Sequence, residues 1–447
     1  MEPDLRGRPR THGLDPRRHG VRSQGRGDLR RHRRRPVRLA RGGRGRHGRA
    51  APHLRAGPGE DRPLRRSVRH LRASAGRHDG HLGRSPGIHS EGQPGVRAIV
   101  KTGDGQVGLR EVADLPGPGP GTITVNVAAT GICGTDRNEI RGTDGMIPRI
   151  LGHEVSGVVA AIGDPVPGVP IGVEVGDRVV METDAYLCRA CHWCRTEQFN
   201  RCPHRTGIGR TAEGGLAEKI NIRADAVHRL PDSVPLLEGA LLEPLAVAVH
   251  SVLEGPFRVG PGSTVVVTGP GTMGQLTAQV CTAVGARVIM VGLDRHEARL
   301  RTAKDNGAYA AVSSESTDVR ALIDSLTDGM GADHVFECSG SVAQVNSGLS
   351  YLGKGGKLGL VAFYKEPLTI DAMQVVHNEL EIVGCRGKRA SSFRTALALL
   401  DEGRLSLSPL IGSVRSLDEW DEAIEEVGRG LKVIMLPGGA ALDSPLP

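Results

Sequence analysis

Four of the eight cysteines in this chain fall within fifteen residues, "CRACHWCRTEQFNRC", with the spacing C-x2-C-x2-C-x7-C from Cys188 to Cys202. Four thiolates on one short loop can close a tetrahedron around Zn²⁺ and leave no position open, which is the arrangement of a structural metal. A disulfide cluster is the alternative that an intracellular chain disfavours, and an iron–sulfur cluster also uses closely spaced cysteines. Zinc is the expectation adopted for Cys188, Cys191, Cys194 and Cys202, with His192 and Trp193 as bystanders. A reactive metal needs scattered ligands and one free position. Cys133 in "GICGTDRNEI" and His153 with Glu154 in "LGHEVSG", each in a glycine-flanked turn, are the candidates. Cys281, Cys338 and Cys385 lie in helix- or strand-like stretches and read as core residues.

A second chemistry is written in "GPGTMG", where Gly269, Gly271 and Gly274 take the G-x-G-x-x-G spacing around Thr272 and Met273. The first glycine permits a tight turn, the second lets the backbone approach a pyrophosphate, and the third allows close helix packing with the helix N-terminus facing the phosphates. An apolar strand precedes the motif and a helix follows it, so a dinucleotide site is expected. The second strand ends "VIMVGLDRHEAR", with Gly292 in the slot where NAD binders carry an acid, then Asp294 and Arg295. Both NAD and NADP remain open at this point.

These residues need a scaffold. From Val96 to Ala246 the sequence reads as short strands broken by glycine and proline, a compact β unit with long loops. From Val247 the rhythm changes to strand, glycine turn, helix and strand, repeated through Arg386, which implies a doubly wound, mostly parallel sheet. Residues 387–447 add helical stretches and a last strand, "LKVIML", expected to return to the first unit. The fold class expected is α/β.

Charge is unevenly spread. Residues 1–95 hold 25 arginines, no lysine, no aromatic residue and 8 acidic residues, a formal +17, while the remainder, with 33 basic and 42 acidic residues, carries −9. The arginine-rich segment cannot bury enough apolar surface to offset its conformational entropy and is expected to be disordered. Its composition is that of GC-rich codons read without selection for a fold, so translation is expected to start at Val96. Nucleic-acid binding through it lacks aromatic side chains to stack on bases. No apolar run is long enough for a membrane span or a leader, so a cytoplasmic location is the default.

The motifs "CGTD", "GHE", the four-cysteine lobe, "EGGLAE", "LLEPLAVAVH", "VTGPGTMG" and "LKVIMLP" together make the chain from Val96 to Pro437 resemble the zinc-dependent medium-chain alcohol and polyol dehydrogenases. The resemblance implies a GroES-like catalytic domain (96–246 and 387–447) around a Rossmann domain (247–386). It implies two zinc ions per subunit, a homodimer or homotetramer, and a small-molecule alcohol as partner. By position, Cys133, His153 and Glu243 look like the catalytic zinc ligands, Glu154 like the carboxylate that approaches or replaces a ligand, and Thr135 like the hydroxyl that passes the proton outward. Gly340, Val361 and Arg386 fall where the family contacts the nicotinamide half and the phosphates. The reaction implied is hydride transfer from a secondary alcohol of polyol, sugar or hydroxy amino acid type to nicotinamide, with zinc lowering the pKa of the hydroxyl. Asn138 stands where the threonine-specific branch has a histidine, and it cannot relay a proton by ionising. "CGTDRNEIRG" is closer to archaeal glucose dehydrogenases, so aldose oxidation is an alternative, as is a zinc-free quinone reductase of the same superfamily, which the filled ligand positions oppose.

Overall fold

The computed structural model describes residues 95–438. The arginine-rich segment and the chain beyond 438 lie outside the described residues, and with them nearly all of the expectation about residues 1–95. No helix among the described residues is long and apolar enough to cross a membrane.

In the strand Thr122–Gly131, Ile123, Val125, Val127 and Ala129 are buried while Asn126 faces out, the alternation of a sheet packed on one side. This strand is the hub of a seven-stranded sheet. It pairs antiparallel with Glu154–Ile162, Lys219–Arg223 and Lys432–Leu436, and Arg178–Met181, Val227–Arg229 and Ile411–Ser416 extend the sheet outward. Early and late strands of the described chain therefore share one sheet, and the last of them, pairing Ile434 with Gly131, lets the Lys432 side chain reach Gly131 and Glu154. A smaller sheet holds Gly95–Gly103 between Gln106–Ala113 and Arg149–Ile150.

The second layer system is a six-stranded parallel sheet. Its central strand, Thr264–Thr268, is buried at every residue, as expected where helices cover both faces. In chain order its strands lie 3-2-1-4-5-6, so the order reverses between Thr264–Thr268 and Ala332–Glu337. Ligands bind such sheets at that switch point, outside the carboxyl ends of the strands. One hydrophobic core joins Leu245 and Val249 of helix Leu242–Leu253, Leu276 and Val280 of helix Thr272–Ala283, and Phe393 and Ala396 of helix Ala390–Asp401. The first helix after Arg386 thus packs with the helices around the parallel sheet, and the strands after it rejoin the antiparallel one.

Candidate active site and metal lobe

The lobe is the simpler of the two metal constellations. A one-turn helix, His192–Arg195, starts at Cys191, whose sulfur accepts the N–H of Cys194 at 3.4 Å; Cys188 accepts that of Cys191 at the same distance. The Cys188 sulfur lies 3.9 Å from that of Cys194 and 3.6 Å from that of Cys202. Ligands 2.3 Å from a tetrahedral zinc stand about 3.8 Å apart, so the spacing fits the ion. Burial raises the Cys188 thiol, but the N–H groups of Cys191 and Ala190 and the neighbouring thiols bring it down to about 6. Cys194 is pushed up to about 12 by burial and by the thiols around it. Four sulfurs this close cannot all ionise unless a cation sits among them. His192 and Trp193 are not part of the group, and Trp193 instead lies under the Arg201 guanidinium, 5.3 Å away.

The second constellation draws on distant segments. Cys133 caps the helix Gly134–Glu139 at the end of the hub strand, and His153 immediately precedes the strand Glu154–Ile162 that pairs with it. One donor atom from each of Cys133, His153 and Glu154 lies within 4.8 Å of the others. A thiolate, an imidazole and a carboxylate are the donor types of a catalytic zinc that keeps an open position. Asp136, buried one turn into the helix, sits behind the ring, with Oδ1 3.5 Å from His153 Nδ1 and Oδ2 accepting the Cys133 N–H at 2.9 Å. Such a carboxylate fixes the imidazole's orientation and leaves Nε2 for the metal. Burial would raise Asp136 and lower His153; each reverses the other's shift, so the carboxyl is held below its usual range and the imidazole well above. The Thr135 hydroxyl lies 3.5 Å from His153 Nε2.

Both candidate carboxylates have a private lysine. Glu154 is buried with both oxygens accepting from Lys432 Nζ, at 2.8 and 2.6 Å. Glu243, buried in the first turn of helix Leu242–Leu253, accepts from Lys388, which also donates to the Thr183 hydroxyl at 2.9 Å. Glu243 lies outside the Cys133–His153–Glu154 group but close enough to act on it electrostatically. Burial raises both acids; Lys388, His153 and Lys432 together more than offset this for Glu243, whereas burial, helped by repulsion from Glu243, keeps Glu154 above its usual range. Lys388, Lys432 and Asp136 escaped the sequence reading as site residues. Asp136 was inside "CGTD" and Lys432 inside "LKVIMLP", but nothing local says that a lysine 278 residues away will face Glu154.

At the glycine turn the three glycines are required for three different reasons. Gly269 has φ +89° and a Cβ there would come 2.8 Å from Ser339; a Cβ on Gly274 would come 2.0 Å from the Gly269 carbonyl oxygen; a Cβ on Gly271 would meet nothing within 4 Å. The open space over Gly271, at the start of the helix carrying Thr272, Met273 and Gly274, is room for a backbone-hugging anion. Gly292 closes the next strand, and Asp294 and Arg295 lie in the turn after it, where Asp294 accepts from the Ser316 hydroxyl at 3.0 Å. Gly340 follows the fourth parallel strand with φ +74° and donates its N–H to the buried Glu337 at 3.1 Å, and Val361 donates to the Glu337 carbonyl at 2.9 Å. Arg386 follows the sixth strand, its carbonyl accepting from Asn200 of the lobe at 3.3 Å. All of these stand at carboxyl ends of parallel strands, and from there Lys388 reaches Glu243.

Residues 119–232 match the alcohol dehydrogenase GroES-like domain, and residues 272–402 match the zinc-binding dehydrogenase family. The chain is 34% identical over 348 residues to a sorbitol dehydrogenase of Halalkalibacterium halodurans, covering 76% of this chain and 99% of that one. A D-arabitol-phosphate dehydrogenase of Enterococcus avium is also 34% identical, over 70% of this chain and 88% of its own. A zinc-binding dehydrogenase from Sinorhizobium meliloti 1021, solved bound to NADP, superposes with a TM-score of 0.70 at 29% identity, covering 77% of this chain and all of that one. With a GroES-like sheet, a dinucleotide turn at the switch point and these relatives matched over almost their whole length, the chain belongs to the zinc-dependent medium-chain alcohol dehydrogenases, enzymes that interconvert secondary alcohols and ketones with NAD or NADP.

Proposed function

We propose that Cys133 and His153 hold the catalytic zinc with Glu243 as the third protein ligand, that Glu154 is the carboxylate that approaches as water and substrate exchange, and that Cys188, Cys191, Cys194 and Cys202 hold a structural zinc. The observation that carries this reading is the convergence of the Cys133, His153 and Glu154 donor atoms in front of Asp136, next to a second buried acid. Bound zinc would supply Lewis acidity that lowers the pKa of an alcohol hydroxyl, and bound nicotinamide would take up the hydride.

The residues do the rest. Asp136 holds the imidazole in one orientation, and Lys432 and Lys388 keep both carboxylates charged enough to serve as ligands. Thr135, beside the His153 ring, holds the proton that the substrate hydroxyl gives up and passes it toward solvent. Gly271, Thr272, Met273 and Gly274 receive the pyrophosphate, Asp294 and Arg295 face the adenosine ribose, and Gly340, Val361 and Arg386 border the nicotinamide half. We assign 96–246 and 387–447 to the catalytic domain and 247–386 to the dinucleotide domain, and expect a cytoplasmic homodimer or homotetramer acting on a polyol, sugar or hydroxy amino acid. Incubation of the protein with NAD or NADP and a panel of such alcohols, with and without chelator, tests the reading. Reduction that a chelator abolishes is the expected result, and turnover insensitive to complete zinc removal would overturn it.

A further inference from the structure

A cavity bordered by the helix that follows Cys133 carries charge that hydride transfer does not use. The helix that begins after Cys133 presents Arg137 and Asn138, and Arg141 follows it. With Phe363 and Lys365, from the loop just after Val361, and Glu425, these residues line a cavity of about 710 Å³, within the range of small-molecule sites. One wall therefore continues from Cys133 and Thr135. The other continues from Val361 and from Gly340, where a Cβ would come 2.9 Å from the Phe363 carbonyl oxygen.

The polar lining is cationic. Among the described residues Arg137, Arg141 and Lys365 form no ion pair; Arg137 donates only to the Val427 carbonyl, at 2.9 Å. Of the acids close to them, Glu425 pairs with Arg429 at 2.7 Å and Glu139 with Arg149 at 2.6 Å and Arg210 at 3.0 Å, while Asp104 accepts the Gly142 N–H at 2.6 Å. With three cations against the single acid Glu425, the lining is net positive, and such a cleft concentrates ligands of negative charge. No residue of the glycine turn lines this cavity, so the cations do not serve the pyrophosphate cradle.

We propose that the alcohol substrate is anionic: a polyol bearing a phosphate monoester or a carboxylate, whose charged end is held by Arg141 and Lys365 while its secondary hydroxyl lies at the Cys133–His153 centre. This rests on the metal-centre reading above. The two sources of negative charge share the chemistry that Arg and Lys recognise.

The test compares sorbitol, gluconate and sorbitol 6-phosphate in the zinc-loaded full chain, wild type, Arg141→Ala and Lys365→Ala. Steady-state kinetics are accompanied by calorimetric binding of the three compounds in the presence of cofactor. One charged compound should exceed sorbitol at least about 10-fold in kcat/KM, with the advantage shrinking as salt is raised. Preference for sorbitol 6-phosphate would identify a phosphate site and preference for gluconate a carboxylate site. Each alanine variant should raise KM for the preferred compound about 10-fold and leave kcat, the cofactor KM and the sorbitol KM unchanged. Equal or better use of sorbitol overturns the proposal, as does a variant that changes the cofactor KM instead of the alcohol's. If none of the three is oxidised, the calorimetry decides: tighter binding of a charged compound that weakens in the variants sustains an anion site, and equal binding of all three overturns it; the metal-centre reading fails separately, on turnover that survives zinc removal.

Discussion

The four-cysteine lobe and the proposed catalytic centre both bring cysteine sulfur to a cluster of donor atoms, yet they are built on opposite plans. The lobe takes all four donors from fifteen consecutive residues and supports them with its own backbone N–H groups. The proposed centre draws Cys133 from one strand end and His153 and Glu154 from another, with Glu243 on a helix outside that group, and its acids are balanced by lysines from the far end of the described chain. A local set of identical donors saturates its ion and does no chemistry. A dispersed set of mixed donors can leave a position free, at the cost of depending on the whole fold to hold its charges in register.

The contrast is broken most sharply at the ligands themselves. Cys133→Ser or His153→Ala should lower turnover about 1000-fold or more, as expected when several kcal/mol of Lewis-acid stabilisation is lost, while the unfolding midpoint stays within a few degrees. Normal kcat in either variant would remove the centre from the mechanism. Lys432→Met should be the costliest change for stability, about 3–5 kcal/mol in denaturant unfolding, because it strands Glu154 as a buried acid without its partner. A cost near zero would mean that water reaches Glu154.

The lobe should answer in the opposite currency. Cys188→Ser should release one zinc and lower the unfolding midpoint by roughly 5–10 °C, with kcat of the folded fraction changed less than about threefold. A selective collapse of kcat would place the lobe in the reaction path.

Glu213 offers the mildest test. Like Glu154 and Glu243 it is an acid turned inward, but it forms no ion pair among the described residues, and one of its oxygens is buried with no hydrogen-bond partner. Burial pushes its carboxyl up to about 7 against the Ile150 N–H and Arg149. Because the folded-state value lies above the unfolded value, the stability it contributes is complete below about pH 4.5 and is lost as pH rises through about 7. Glu213→Gln, always neutral and still able to accept from Ile150, should match wild type near pH 4.5 and be more stable by about 1–2 kcal/mol above pH 7. An identical difference in unfolding free energy at pH 5 and pH 8 would refute this.

What could be read in advance follows the same division. The lobe was legible because its ligands are neighbours in sequence, and the glycine turn because three backbone requirements recur at fixed spacing. The alternation between strand and helix made the parallel sheet legible too. Asp136, Lys388 and Lys432 were not legible as site residues, since pairing a buried charge with its partner depends on tertiary register and not on local pattern. The packing of Ala390–Asp401 against helix Leu242–Leu253 was hidden for a related reason: an amphipathic helix shows that it has an apolar face, not which core receives it.

The strand that carries Lys432 has a consequence for how the enzyme comes into being. A chain emerging from the ribosome can form its four-cysteine loop as soon as residue 202 is free. Glu154, by contrast, stays without its counter-charge until Lys432–Leu436 arrives more than two hundred residues later and zips against Thr122–Gly131. Until that strand is in place the Cys133–His153–Glu154 group lacks its balancing lysine, and a chain truncated before residue 432 would form the four-cysteine loop yet hold an unbalanced acid at the proposed centre.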